Sequence, residues 1–492
     1  MRYFQYTKNI WVSREMNIRR RIIIYYYNIK FNNPNRVRMN VRKNNRSEGP
    51  IILSIRRNIL FIVKGILHIG ADLIHFIRRN LLFIVKKILH IGADLILRTF
   101  VGRDIILISE LQKGIHNIDI KGVDFLNINN LEDIVSRKKV IREKEKTIVF
   151  VPPHVGDNEK GEEHEYEVPD LYCGEIENAL IVGETNIIVS NRTLLTDVTP
   201  GLLKRVDLSY GDLLINTDKY AIIYKKNQTY IDEKAICLIK AGNYNYYHYM
   251  VETLSRLVLI DEVEEYRSLP LLVDSVVKDN KNFIELMNKC NIYNHPIIWI
   301  EKNIHYKIRE LVYASCAVFM PGNLRDRYSI VESDFIVSGW LLKKLQDRLK
   351  YNLNVAKGYK QIIISRSDIA NSRLQNESEV VHILNECGYE AVYPEKMTIE
   401  EQAGIFGASN RIVATSGGAM ANIIFCQPET EVFCIIPDKH KFYLYSSMAY
   451  LLNIKYHVID AEIKKLTAYP GLDEFVVKID RVKLVGGLKN DK

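Results

Sequence analysis

His248, Glu252 and Arg256 recur at steps of four, which on a helix brings them to one face. A histidine near a helix start, with a carboxylate one turn on to orient it or raise its basicity, has the makings of a general base. The same residues also suit a plainer arrangement, a Glu252–Arg256 salt bridge beside a buried, satisfied His248. A second group lies further along. Ser365 and Arg366, followed by Arg373, supply guanidinium forks that match phosphate oxygens. Ser416-Gly417-Gly418 lets backbone N–H groups approach an anion at a helix start. Together they point to a phosphorylated or nucleotide-linked donor; the alternative is that the arginines are surface charges and the glycines only a turn.

The elements that must hold these residues alternate in type. Ile362 to Ile364 reads as a buried strand ending at Ser365, and Asn376 with Glu379 predicts a capped helix running to Cys387, with Gly388 at its C′ position. Tyr389 to Tyr393 is a second strand, Thr398 with Glu401 opens another helix, Arg411 to Ala414 is a third strand, and Glu431 to Ile436 a fourth. Strands separated by helices of this length predict parallel β-α-β units, whose ligands sit beyond the carboxyl ends of the strands, where Arg366 and Ser416 fall.

The preceding part follows the same logic. Ala235 to Ile239 reads as a strand leading through Gly242 and Asn243 into the His248 helix. Leu271 to Val273, Ile297 to Ile300 and Leu311 to Val318 read as further strands, with helices at Asn280 to Cys290 and Phe335 to Leu349. Before them, Ile148 to Pro152, Ala179 to Val182, Asn186 to Val189 and Tyr220 to Tyr224 are short strand candidates. Lys138 to Lys146 reads as a solvated helix and linker. The acidic stretch Asp157 to Glu167, with His154 and His164, reads as an exposed loop rather than a metal site.

With 492 residues the chain is long enough for two or three domains, and its composition is that of a folded protein. The net charge of +9 is uneven: the first hundred residues hold 20 Lys and Arg against 4 Asp and Glu, so they carry +16 and the remainder −7. Residues 1–50 form a basic arm without a signal-peptide pattern. Residues 51–100 contain a duplication: Ile55 to Lys64 recurs at Ile77 to Lys86, and His68 to Ile74 returns as His90 to Ile96, a period of 22 residues. As a helix, residues 55–96 would be apolar around most of its circumference, with Lys64 and Asp72 interrupting any membrane-length window. An anionic membrane surface or self-association suits it better, and packing on the protein's own core is the alternative. The basic arm alone does not make a nucleic-acid binder. Seven scattered cysteines without a C-x-x-C pair fit reduced thiols in a cytoplasmic compartment, peripheral to the inner face of the plasma membrane if the repeat binds lipid.

The pattern N-Y-x-H-x-x-x-E-x-L-x-R-L at Asn245 to Leu257 is followed by S-R-x6-R-x-x-N-E at Ser365 to Glu377. Then come Pro394-Glu395, Glu401-Gln402 and S-G-G-A-M-A-N at Ser416 to Asn422. In that order the motifs resemble glycosyltransferase family 61, whose bacterial members often belong to capsular polysaccharide clusters. Tyr249, Ser255 and Ser416 stand where the family usually has Trp, Pro and His, and the last of these bears on donor contacts.

The resemblance implies an α/β, GT-B-like fold: two facing Rossmann-like domains, residues 147–355 on the acceptor side and 356–492 on the nucleotide-sugar side. Residues 1–146 would be the basic, helical repeat extension, of which 101–146 is a linker or helical segment. It implies inverting, metal-independent transfer from a nucleotide-diphosphate sugar, UDP-linked as the first expectation, to a hydroxyl of a glycan or lipid-linked glycan. No separate cofactor is needed, and the absence of a D-x-D triplet agrees. The donor would meet Ser365, Arg366, Arg373, Asn376, Glu377, Glu395, Gln402, Ser416, Gly417, Gly418 and Asn422. Asn245, Tyr249 and Arg256 would lie on the acceptor side, with His248 or Glu252 as the base. Closure of the two halves would exclude water. The rival is a catalytically degenerate scaffold of a polysaccharide assembly complex.

Overall fold

The computed structural model describes residues 123–487, apart from 158–159, 199–201, 209–210, 217, 327–328, 354, 356–357, 367–372, 438–439 and 467–472. The basic arm of residues 1–50, the repeat of residues 51–100 and the start of the 101–146 segment lie outside the described residues.

Two sheets carry the site. The larger has eleven strands. Its parallel portion runs in the order Ile297–Ile300, Leu271–Asp274, Gln228–Cys237, His305–Ala314. The helical segment His248–Ile260 connects Gln228–Cys237 to Leu271–Asp274. Lys281–Cys290 makes the next crossover, with the Asn280 side chain accepting from the N–H groups of Asn282 and Phe283. Past His305–Ala314 the sheet becomes antiparallel through the long strand Leu171–Val182 and the hairpin Ile188–Ser190 to Thr193–Thr196.

Several sequence expectations are corrected here. Lys138 to Lys146 is not a helix: Ser136–Arg142 is a strand on Leu171–Val182, and Glu145–Val151 pairs with Glu162–Val168. The acidic stretch likewise enters a strand from Glu162 onward rather than remaining a loop. In both cases side chains alternate between exposed and partly covered positions, so a period of two is hidden among charges that face solvent. The expected strand Leu311 to Val318 begins earlier and stops at Ala314. The helix expected at Phe335 starts at Gly339, because Ile336–Val337 pairs with Val318–Phe319 and the Ser338 hydroxyl accepts from the Leu341 N–H at 3.2 Å.

The smaller sheet has six strands in the order Glu390–Val392, Lys360–Ile364, Ser409–Thr415, Glu431–Pro437, Lys455–Lys465, Glu474–Val477, parallel except for the last. The capping box of Thr398 and Glu401 forms, and Gly388 takes a φ of +86° past the end of Glu377–Glu386. Asn376 does not cap that helix. Its amide instead donates to the Val477 carbonyl at 2.9 Å and accepts from the Val477 N–H at 3.1 Å.

One apolar core joins the layers. Leu254, Leu257 and Val258 pack with Leu341, Leu345 and Leu349 of the Gly339–Leu353 helix. The same cluster continues into Ile362, Ile412, Val432 and Phe425 of the smaller sheet and its loops. Burying each such side chain contributes about 2 kcal/mol. No helix among the described residues is long and apolar enough to cross a membrane.

Candidate functional site

The loop after Gln228–Cys237 is pinned by Asp274 from the neighbouring strand. Asp274 accepts from the Lys240 N–H at 3.0 Å, the Asn243 amide at 2.6 Å and the Glu184 N–H at 2.7 Å. Burial pushes its carboxyl up to about 6 in spite of these donors. Gly242 has a φ of +94°, and a Cβ there would stand 3.0 Å from Cδ2 of His248, so both backbone and ring require a glycine.

The segment opens with a π turn, His248–Thr253, in which the Leu254 N–H reaches back to the Tyr249 carbonyl. Within it Nδ1 of His248 donates to Oε2 of Glu252 at 3.0 Å. Nζ of Lys240 meets the same oxygen at 3.1 Å. Burial of Glu252, which is 4% exposed, works to raise its proton affinity, but Lys240 and then His248 outweigh it and hold the carboxyl well below its usual range. His248 keeps 31% of its side chain exposed. The wider π turn carries Arg256 off this face. Its guanidinium bonds Oδ2 of Asp197 at 3.0 Å and the Tyr313 hydroxyl at 3.1 Å. The Glu252–Arg256 pair that the spacing allowed is thus replaced by Lys240–Glu252–His248. Lys240 was missed in the sequence; its signal was a single cation directly after the buried strand.

On the smaller sheet, Ser365 and Arg366 leave the end of Lys360–Ile364. Oε1 of Glu377 accepts from the Ser365 hydroxyl at 3.1 Å and from the Arg366 N–H, which sets the direction of the loop. The Arg373 carbonyl accepts from the Phe475 N–H at 2.9 Å, and its guanidinium donates to the Ser416 carbonyl. A Cβ at Gly417 would lie 3.3 Å from one Arg366 nitrogen and 3.4 Å from one of Arg373, so both guanidiniums converge on this glycine. The φ of Gly417, 168°, is ordinary extended backbone; the glycine provides room. Burial, and after it the neighbouring charge of Arg366, lowers the proton affinity of Arg373.

Contacts between the two groups are direct. A Cβ at Gly418 would lie 3.3 Å from Oδ1 of Asn245. The Tyr246 hydroxyl donates to Asn422 at 2.6 Å, Asn422 donates to Gln402 at 2.9 Å, and Gln402 donates to the Pro394 carbonyl at 2.9 Å, forming a buried polar chain. Tyr247 lies edge-on between His248 and Tyr445, with centroids at 5.0 and 5.7 Å. Tyr445, its hydroxyl held protonated by burial, feels the charges of both Arg373 and Glu252.

The structure therefore brings together Asn245, His248, Arg366, Arg373, Ser416, Gly417 and Gly418. Ser365, Glu252 and Glu377 lie behind them, and Gln402 and Asn422 are buried. Tyr249 is wholly buried and stacked on Phe283 at 4.7 Å, and Glu395 is exposed on the turn Pro394–Lys396. Among the described residues no group of three or more His, Cys, Asp or Glu side chains forms a metal site.

No curated protein matches the chain. The family model Glycosyltransferase 61 matches residues 246–433, a span that begins beside His248 and takes in Arg366, Arg373 and Ser416 to Asn422, so this segment of the chain is similar to glycosyltransferase family 61.

Proposed function

We propose that the protein is an inverting, metal-independent glycosyltransferase. It moves a sugar from a nucleoside-diphosphate donor to a hydroxyl of a growing surface or capsular polysaccharide. The observation that carries this reading is the convergence of Arg366 and Arg373 on Gly417 at the carboxyl ends of parallel strands. Two cations held side by side suit a diphosphate. In this reading the two sheets serve as the facing halves of a GT-B arrangement, and residues 55–96 hold the chain at an anionic membrane face or to its own copies on the cytoplasmic side.

His248 is the base and Glu252 its orienter, because Glu252 is buried, paired with Lys240 and held ionised, whereas His248 is open on one side. With Nδ1 donating to Glu252, Nε2 is left to take the acceptor hydroxyl proton as that oxygen bonds to the anomeric carbon. The bond from that carbon to the diphosphate oxygen breaks on the opposite face, and Arg366 and Arg373 stabilise the charge that develops there.

Calorimetry with UDP, GDP, CDP and ADP, without added metal, on the wild type and on Arg366→Ala tests the donor site. Micromolar binding of one nucleotide that disappears in the variant is expected. Failure of every nucleotide to bind would leave the scaffold reading as the better account.

A further inference from the structure

The smaller sheet carries a second histidine–carboxylate pair that the scheme above does not use. His440 follows the strand Glu431–Pro437, and its own N–H is turned back onto the Pro437 carbonyl at 2.8 Å. Its side chain is 13% exposed, and Nε2 donates to Oδ2 of Asp473 at 3.0 Å. Asp473 is fully buried and directly precedes the strand Glu474–Val477.

That strand also holds Arg373. The Phe475 N–H bonds the Arg373 carbonyl, the Arg373 guanidinium lies 5.9 Å from the Phe475 ring, and the charge of Asp473 acts on Arg373. On its other contact Arg373 reaches the Ser416 carbonyl, and the Ser416 N–H bonds Ile435 of the strand that leads to His440. His440, Asp473, Arg373 and Ser416 thus form one connected cluster at the edge of the sheet where Ser409–Thr415 and Glu431–Pro437 end and the antiparallel strand Glu474–Val477 begins. In a parallel sheet that is the edge where a ligand sits.

We propose that His440, oriented by Asp473, is a further donor-binding residue that contacts the diphosphate beside Arg373. The inference rests on the donor-site reading above and names a third group for it. A carboxylate fixing one imidazole nitrogen sets the ring's direction, as a contact to a diphosphate oxygen at one fixed place requires. Asp473 acts through His440 and is a positioning residue. Ser416 presents only a short hydroxyl at the glycine turn, so an imidazole from the next strand end supplies what that turn does not.

The test is calorimetry on the full chain with UDP, GDP, CDP and ADP and their monophosphates, comparing wild type, Arg366→Ala, His440→Ala, His440→Gln and Asp473→Asn, with thermal unfolding of each. His440→Ala is expected to weaken the bound diphosphate by about tenfold or more while shifting the matching monophosphate far less. His440→Gln should restore part of the loss, and Asp473→Asn should show a smaller loss of the same kind. An unchanged preference for diphosphate over monophosphate in folded His440→Ala, with binding still lost in Arg366→Ala, overturns the role of His440 and leaves the donor site standing. Absence of nucleotide binding to the wild type removes the donor site and His440's part in it together.

Discussion

Replacing Glu252 with Gln separates the two jobs that the structure gives this carboxylate. Its Oε2 meets Nζ of Lys240 at 3.1 Å, and the Lys240 side chain is only 15% exposed, so the pair is poorly screened. At an effective dielectric near 20, unit charges at the 3.1 Å separation attract by about 5 kcal/mol. Desolvation offsets part of this. Glutamine preserves the shape and one acceptor but leaves Lys240 without its counter-charge, so the expected loss of stability at pH 7 is about 3 kcal/mol. The pH dependence has a definite sign. The folded carboxyl is held below its ordinary range, so its stabilisation is fully present above the unfolded value of about 4.3 and is lost as pH falls below it. Urea unfolding of both proteins from pH 7 down to pH 3 should therefore show a gap that closes on the acid side. Turnover should fall about a hundredfold or more, since His248 loses the partner that fixes its tautomer. A gap below about 1 kcal/mol at neutral pH, or one that stays constant into acid, would refute the reasoning.

Gly417→Ala should cost little stability but crowd both guanidiniums, weakening nucleotide binding by about tenfold in calorimetry. Asn422→Ala cuts the chain from Tyr246 to Gln402 and strands buried polar groups, so thermal unfolding should report a loss of about 2 kcal/mol. Asp274 has its carboxyl raised to about 6, so the stability it lends is fully present below the unfolded value and is lost as pH rises through 6. Asp274→Asn should flatten the stability profile between about pH 4 and 6, which denaturation across that range will read.

Where local chemistry and the period of side-chain burial agreed, the sequence could be read. The strands at Ile362, Arg411 and Glu431 and the box at Thr398 need only nearby residues to specify them. Asn376 was misleading because its preference for a helix start is worth about 1 kcal/mol, and two backbone bonds to Val477, 101 residues away, replace it. The charged strands Ser136–Arg142 and Glu162–Val168 were hidden because their partners, not their compositions, make them strands. In the site, His248–Glu252 follows from spacing alone. Arg256 does not, because a π turn is set by tertiary packing, and Lys240, Asp274 and Asp473 become visible only when neighbouring strands are in register.

The apolar core that runs from Leu254 through the Gly339–Leu353 helix to Val432 has a thermodynamic consequence. Each sheet also has an apolar cluster of its own, around Ile176 and Leu311 in the larger and around Ile363 and Val413 in the smaller, but the shared cluster couples the unfolding of one to that of the other. A nucleotide held at Arg366 and Arg373 then shifts the unfolding of the His248 segment as much as that of its own sheet. Scanning calorimetry should record a single transition that moves as a whole with ligand concentration, and the two parts of the chain expressed separately should each expose their side of the shared cluster.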